Sequence, residues 1–169
     1  MKPNLVKFIN FALYALVGWM ILQRAPAWIR QLRAEGEPLP AISVPLLDGG
    51  VYSSAADSDP RAIVFWATWC GPCTTELRRI QRLINDGKIP AESVIAISSH
   101  EDASEIRGAV REREYTFKIG VDATGIVQES IGVEVTPTIL LKSAGQQVVW
   151  ATSGLSPTLE WRLLKHLSP

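Results

Sequence analysis

Cysteine and histidine are scarce in this chain, with two of each among 169 residues. So few ligands argue against a structural zinc centre, which usually takes four. The cysteines, Cys70 and Cys73, are also too close for a structural disulfide. A bond between them would enclose almost no chain and remove little entropy from the unfolded state. Charge of neither sign is in surplus, since 17 Lys and Arg balance 17 Asp and Glu, and no basic surface for nucleic acid is implied. Internal repeats and low-complexity tracts are missing too. What the chain does have is a composition that is 47% hydrophobic, enough for one compact domain with an added anchor.

The two cysteines stand in Trp66-Ala67-Thr68-Trp69-Cys70-Gly71-Pro72-Cys73, directly behind the apolar run Ala62-Ile63-Val64-Phe65. That run reads as a buried strand. Pro72 suits a first helical turn, where its missing N–H costs nothing, and Leu77, Ile80, Leu83 and Ile84 follow at helical spacing. The dithiol therefore sits where a strand ends and a helix begins. Free N–H groups and the positive end of the helix dipole favour a thiolate there, which makes Cys70 the expected nucleophile of thiol-disulfide exchange. Cys73, about one turn further in, is expected to close the disulfide and release the partner from a mixed disulfide.

A second signal lies at the N-terminus. From Leu5 to Leu22 the chain is apolar all round, broken only by Lys7 and Asn10, and at about 1.5 Å per residue it extends roughly 27 Å, close to a hydrocarbon core of about 30 Å. A spanning helix over 5–22 is expected, with Lys7 snorkelling and Trp19 at an interface. A cleaved signal peptide is the rival, because Ala25-Pro26-Ala27 resembles a small-x-small site, although Arg24 and Pro26 crowd it. Lys2 and Lys7 on one side face Arg24, Arg30 and Arg33 on the other, so the charge count does not decide orientation.

The reading along the chain assigns 1–22 to the anchor, 23–37 to a juxtamembrane linker and 38–169 to the catalytic domain, with Pro38 and Pro40 at the boundary. Strands are expected at Ile42–Leu47, at Val51-Tyr52 after the turn Asp48-Gly49-Gly50, at Val94–Ile97, at Tyr115–Val121, and in a hairpin of Thr138–Leu141 with Val148–Ala151. Helices are expected over Asp102–Glu114, in a short stretch ending at Ile131, and from about Pro157 to Leu167, where Leu159, Leu163 and Leu167 share a face. Strands alternating with helices give an α/β class. Glu76, three residues after Cys73, falls on the same helix face and is a candidate to exchange a proton with it, or else a solvated glutamate that supports the helix dipole. Trp66 reads as core and Trp69 as an apolar cover for the dithiol. His100, after the strand at Val94–Ile97, and His166, near the end of the last helix, read as a helix N-terminal residue and a surface residue.

The segment Phe65 to Cys73 resembles the active site of the thioredoxin superfamily, and the order of elements after it is similar to the membrane-anchored TlpA, ResA and cytochrome c maturation branch. The helix and strand between Pro90 and Val121 distinguish that branch from plain thioredoxin. The resemblance implies a thioredoxin-like fold of three layers, α/β/α, around a mixed sheet with a cis-proline loop at Thr136-Pro137. It implies that Trp69, Gly71, Pro72, Thr136 and Pro137 receive the substrate, with the backbone of Thr136 pairing an extended segment of the partner. It marks Glu76 as matching a glutamate found at this offset in TlpA- and ResA-like proteins, although a proline that many relatives carry two residues later is Arg78 here.

The implied activity is reduction of disulfides in partner proteins, such as those of apocytochrome c. Gly-Pro between the cysteines matches thioredoxin, which at about −270 mV lies at the reducing end of such proteins. A membrane thiol transporter would supply electrons, no cofactor is expected, and the location would be the bacterial inner membrane with the domain in the periplasm. The alternative is a Cu(I)-binding module of the same fold. Copper chaperones of this fold separate their cysteines by three residues and add a histidine, whereas the spacer here is two, so no metal ligand is assigned.

Overall fold

The structure is a computed structural model, and it describes residues 10–16, 18, 19 and 35–168. The chain divides into two compact units, Met1–Arg33 and Ala34–Pro169. In the first, residues 10–16, 18 and 19 are helical with exposed side chains. Among the described residues no helix is long and apolar enough to cross a membrane. The rest of the expected anchor 5–22, and the linker as far as residue 34, lie outside the described residues.

The second unit opens with a hairpin of β1 (Ser43–Pro45) and β2 (Val51–Ser53), paired at Val44 and Tyr52. Gly49 and Gly50 turn it with φ of 101° and 82°, a conformation that other residues rarely adopt. The strand expected over Ile42–Leu47 is shorter because its ends bond elsewhere: Ile42 N–H donates to the Ser54 hydroxyl and Leu46 N–H to the Gly50 carbonyl.

A five-stranded sheet follows in the order β5-β4-β3-β6-β7, formed by β3 (Arg61–Trp66), β4 (Val94–Ser99), β5 (Lys118–Asp122), β6 (Thr138–Lys142) and β7 (Val148–Ser153). β3 runs parallel to β4, and β4 to β5, while β6 pairs antiparallel with β3 and β7. The helices are α1 (Gly71–Asn85), α2 (Ala103–Glu112), α3 (Ile126–Ser130) and α4 (Leu159–Leu167).

The central strand β3 is apolar throughout because both of its faces are covered. Ala62, Val64 and Trp66 pack with Leu77 and Ile80 of α1, Ile106 of α2, and Leu159 and Leu163 of α4. Ile63 and Phe65 pack on the opposite face with Val44 and Tyr52 of the hairpin and Val133, with Val127 and Ile131 alongside. The sheet thus carries three helices on one side, and the hairpin with the short α3 segment on the other.

Both sheet edges are occupied. Gly36 N–H donates to the Val148 carbonyl, and Val148 N–H to Glu37, along β7. Leu46 bridges Gly120 of β5. Contacts of this unit therefore begin ahead of Pro38, the residue at which the sequence places the boundary. The strand expected from Tyr115 starts three residues later, since Thr116 N–H donates to the Gln81 side chain at 2.9 Å rather than to a neighbouring strand.

Candidate active site

β3 delivers the chain to the end of the sheet, where Ala67, Thr68, Trp69 and Cys70 form a turn closed by the Cys70 N–H on the Ala67 carbonyl at 3.2 Å. Cys70 is then the N-cap of α1, and Pro72 lies in its first turn. Cys70 and Cys73 are joined as a disulfide with Cα atoms 5.2 Å apart. The Cys73 N–H points at the Cys70 sulfur, 3.2 Å away. This is one of the helix-terminal donors that lack an intrahelical partner, and it stands ready for negative charge on that sulfur. Both cysteines are buried, Cys73 the more completely, while Gly71 and Pro72 beside them are exposed.

The Thr136–Pro137 peptide is cis, and Pro137 is buried. Phe65 pairs with Thr138, so the antiparallel register puts Pro137 opposite Trp66, where the cysteine turn departs. β7 ends at the same end of the sheet, and Gly154 N–H donates to the Pro137 carbonyl at 2.7 Å. Three large apolar side chains stand exposed on the loops at this end of the sheet: Trp69, which is 79% exposed, Val135 and Leu155. Trp66 is fully buried.

Glu76 is 0% exposed, so it is no solvated first-turn glutamate. It forms an ion pair with Arg79 at 2.9 Å and accepts a hydrogen bond from the Ser156 N–H. Arg79 also reaches Glu160 at 3.0 Å and the Ser156 carbonyl at 2.8 Å. Burial works to lower the pKa of Arg79, but the hydrogen bond to Glu160 and the charge of Glu76 outweigh it and raise the guanidinium above its ordinary value. The group therefore remains charged and ties α1 to α4.

His100 is exposed, with φ of 62° and its ring packed over Gly125, where even a Cβ would collide with it. Its N–H donates to the Asp122 carbonyl. Among the described residues no group of three or more His, Cys, Asp or Glu is arranged to hold a metal ion. The helix expected from Asp102 starts there, and the two carboxylates at its start have different roles. Asp102 is the N-cap of α2, accepting from the N–H groups of Ser104 and Glu105. The Ser104 hydroxyl, which also donates to it, and then those two N–H groups hold its carboxyl below the usual range.

Glu101 turns the other way, toward the cysteine turn, and accepts from Thr68 and Ser98. Sequence reasoning did not find it, nor Arg113, which donates to the Thr68 carbonyl at 2.8 Å. The one available signal was the place of Glu101, directly after a strand parallel to β3 and at the end of the sheet that carries the cysteines.

Residues 34–158 match the Redoxin family. Over 133 residues the chain is 31% identical to a thioredoxin-like protein of Haemophilus influenzae, a match covering 78% of this chain and 76% of that protein. It is 27% identical over 90 residues to the thiol-disulfide oxidoreductase ResA of Bacillus thuringiensis, covering 53% of this chain and about half, 52%, of the relative. The fold is similar to the thioredoxin domain of a thiol-disulfide oxidoreductase from Bacteroides vulgatus. That likeness has a TM-score of 0.68 and 19% identity, covers 80% of this chain and 99% of that one, and speaks for the fold alone.

Proposed function

The chain belongs to the Redoxin family, within the TlpA/ResA-like thiol-disulfide oxidoreductases of the thioredoxin superfamily, and from that premise we propose that it reduces disulfides in partner proteins while tethered to the outer face of a bacterial inner membrane. The observation that carries this reading is the N-cap position of Cys70, whose sulfur faces the Cys73 N–H at 3.2 Å.

In the reduced protein the Cys70 thiolate attacks one sulfur of a partner disulfide. The bond between Cys70 and that sulfur forms as the partner's S–S bond breaks, and the partner's other sulfur leaves as a thiolate that takes up a proton. Cys73, having given up its proton, then attacks the Cys70 sulfur and expels the partner's remaining sulfur as a thiolate, which takes up a proton. Two electrons have passed to the partner, and the Cys70–Cys73 disulfide is left behind. Glu76, on the same helix face as Cys73, is the proposed acceptor of its proton. The exposed Trp69, Val135 and Leu155 offer an apolar docking rim, with the Thr136 backbone available to pair an extended segment.

Oxidised cysteines of extracytoplasmic proteins such as apocytochrome c are the proposed substrates, and a membrane dithiol transporter is the proposed donor. Membrane fractionation and protease protection of the full chain test the tether, and a soluble or cytoplasm-facing domain refutes it. Insulin reduction coupled to a thiol donor tests the chemistry, with turnover expected for the native protein and none for Cys70→Ser. Stoichiometric Cu(I) on the purified reduced protein without turnover would instead establish the copper-binding alternative.

A further inference from the structure

Glu101 is 7% exposed, and among the described residues it has no ion pair. Its carboxylate is nevertheless filled by donors. The Thr68 N–H bonds both oxygens, at 3.1 and 2.9 Å, while the Thr68 hydroxyl adds a bond to Oε1 and the Ser98 hydroxyl one to Oε2. The Thr68 carbonyl is held from another direction by Nη2 of Arg113, at 2.8 Å. Every polar group of Thr68 is thus fixed by side chains that lie far along the chain, after β4 and after α2.

Thr68 is the second residue of the turn that ends in Cys70. Ser98, which grips the same carboxylate, pairs with Trp66 across β3 and β4. Glu101 therefore joins the end of the sheet to the turn from which α1 starts. A buried carboxylate is costly, and an apolar residue of similar volume generally serves stability as well or better. Its bonds to Thr68 and Ser98 point to a geometric role.

We propose that Glu101 is a positioning residue, which fixes the Ala67–Cys70 turn through Thr68 and so keeps the Cys70 sulfur against the Cys73 N–H that stabilises its thiolate. This rests on the reading of Cys70 as nucleophile. It makes a prediction whose sign is informative. If Glu101 acted only as a nearby negative charge, neutralising it would make the Cys70 thiol more acidic. If it acts by position, losing it frees the turn, takes the sulfur away from its donor and makes the thiol less acidic.

The test is the pH profile of iodoacetamide alkylation of Cys70 in the reduced full-length protein, comparing native protein, Glu101→Gln, Glu101→Asp and Thr68→Val, with thermal unfolding of each oxidised form as the check on folding. Expected is an upward displacement of the profile in Glu101→Gln by about half a pH unit or more, which slows alkylation about threefold at pH values well below the native midpoint and less above it. Glu101→Asp keeps the charge but not the reach and is expected to behave like the glutamine variant. Thr68→Val, which removes only the hydroxyl bond, is expected to move in the same direction by less, and it decides the matter should Glu101→Gln not fold. Profiles that superimpose on the native one, or move to lower pH, or a Glu101→Asp profile equal to the native one, overturn the proposal. The native profile separately decides the reading beneath it. Acidity no greater than that of free cysteine refutes Cys70 as an activated nucleophile, whereas the difference between variant and native protein decides the role of Glu101.

Discussion

Replacing Glu76 by glutamine removes a charge and almost no volume from the seam between α1 and α4. The amide oxygen can still accept from the Ser156 N–H, but the amide NH2 then confronts the Arg79 guanidinium, donor against donor. Arg79 keeps Glu160 and the Ser156 carbonyl, and its side chain is 23% exposed, so water repairs part of the loss. The expected destabilisation is about 1–2 kcal/mol. Glu76→Ala goes further, leaving the Ser156 N–H without an acceptor, at about 1–3 kcal/mol, and deleting packing worth about 0.8 kcal/mol per methylene. Relief of the carboxylate's desolvation offsets some of this, for a total of about 3–4 kcal/mol. Urea unfolding of the oxidised protein measures both, and with a slope of about 2 kcal/mol per molar the glutamine variant unfolds about 0.5–1 M earlier. An alanine variant within about 0.5 kcal/mol of the native protein, inside the ordinary range of surface substitutions, would refute the view that Glu76 ties α1 to α4.

Cys73→Ser leaves the nucleophile but removes the second sulfur, so the partner accumulates as a mixed disulfide on Cys70, seen as a band that a reductant dissolves; Cys70→Ser is expected to trap none. Lys142 is 1% exposed and donates to the carbonyls of Asp57 and Asp59 at 2.6 and 2.7 Å. Lys142→Met leaves both carbonyls without that donor and is expected to cost about 2 kcal/mol in urea unfolding, the desolvation of the ammonium being relieved at the same time. For His166, burial first and then the charges of Lys165 and Arg162 hold the imidazole below its ordinary pKa of 6.5. Above that pH it contributes nothing. As the pH falls through 6.5 the unfolded chain takes the proton first and stability drops, until the folded form protonates as well. His166→Gln is expected to flatten that stretch of the stability-pH curve, and parallel curves for variant and native protein refute it.

The elements that could be read in the sequence are those whose reasons are local. Ala62 to Phe65 is apolar without alternation because both faces of β3 are covered, and Leu159, Leu163 and Leu167 repeat at the period of a helix with one buried side. Gly49 and Gly50 announce their turn by the φ values they adopt. The strand at Tyr115 was overextended because its β-forming residues are real, but the backbone at Thr116 is satisfied by Gln81, 35 positions away. His166 was read as a surface residue near a helix C-terminus, where a cation is favoured, yet it is partly buried beside two cations. No local pattern carries those facts.

The same division runs through the site. That Cys70 caps a helix follows from eight consecutive residues, Trp66 to Cys73, and the redox chemistry follows from that cap. How firmly the cap is held depends on two carboxylates whose partners are distant: Glu101 meets Thr68 across 33 positions and Glu76 meets Ser156 across 80. Both take the N–H of a loop that leaves the sheet and has no neighbouring strand to accept it. A side-chain acceptor there does for the loop what a ladder does for a strand, and it fixes one point of backbone rather than a register. Glu101 does so on the turn that enters α1, and Glu76 on the segment that leads into α4. The helix bearing the cysteines is thereby held at its start and along its flank, while the proposed docking rim of Trp69, Val135 and Leu155 stays exposed.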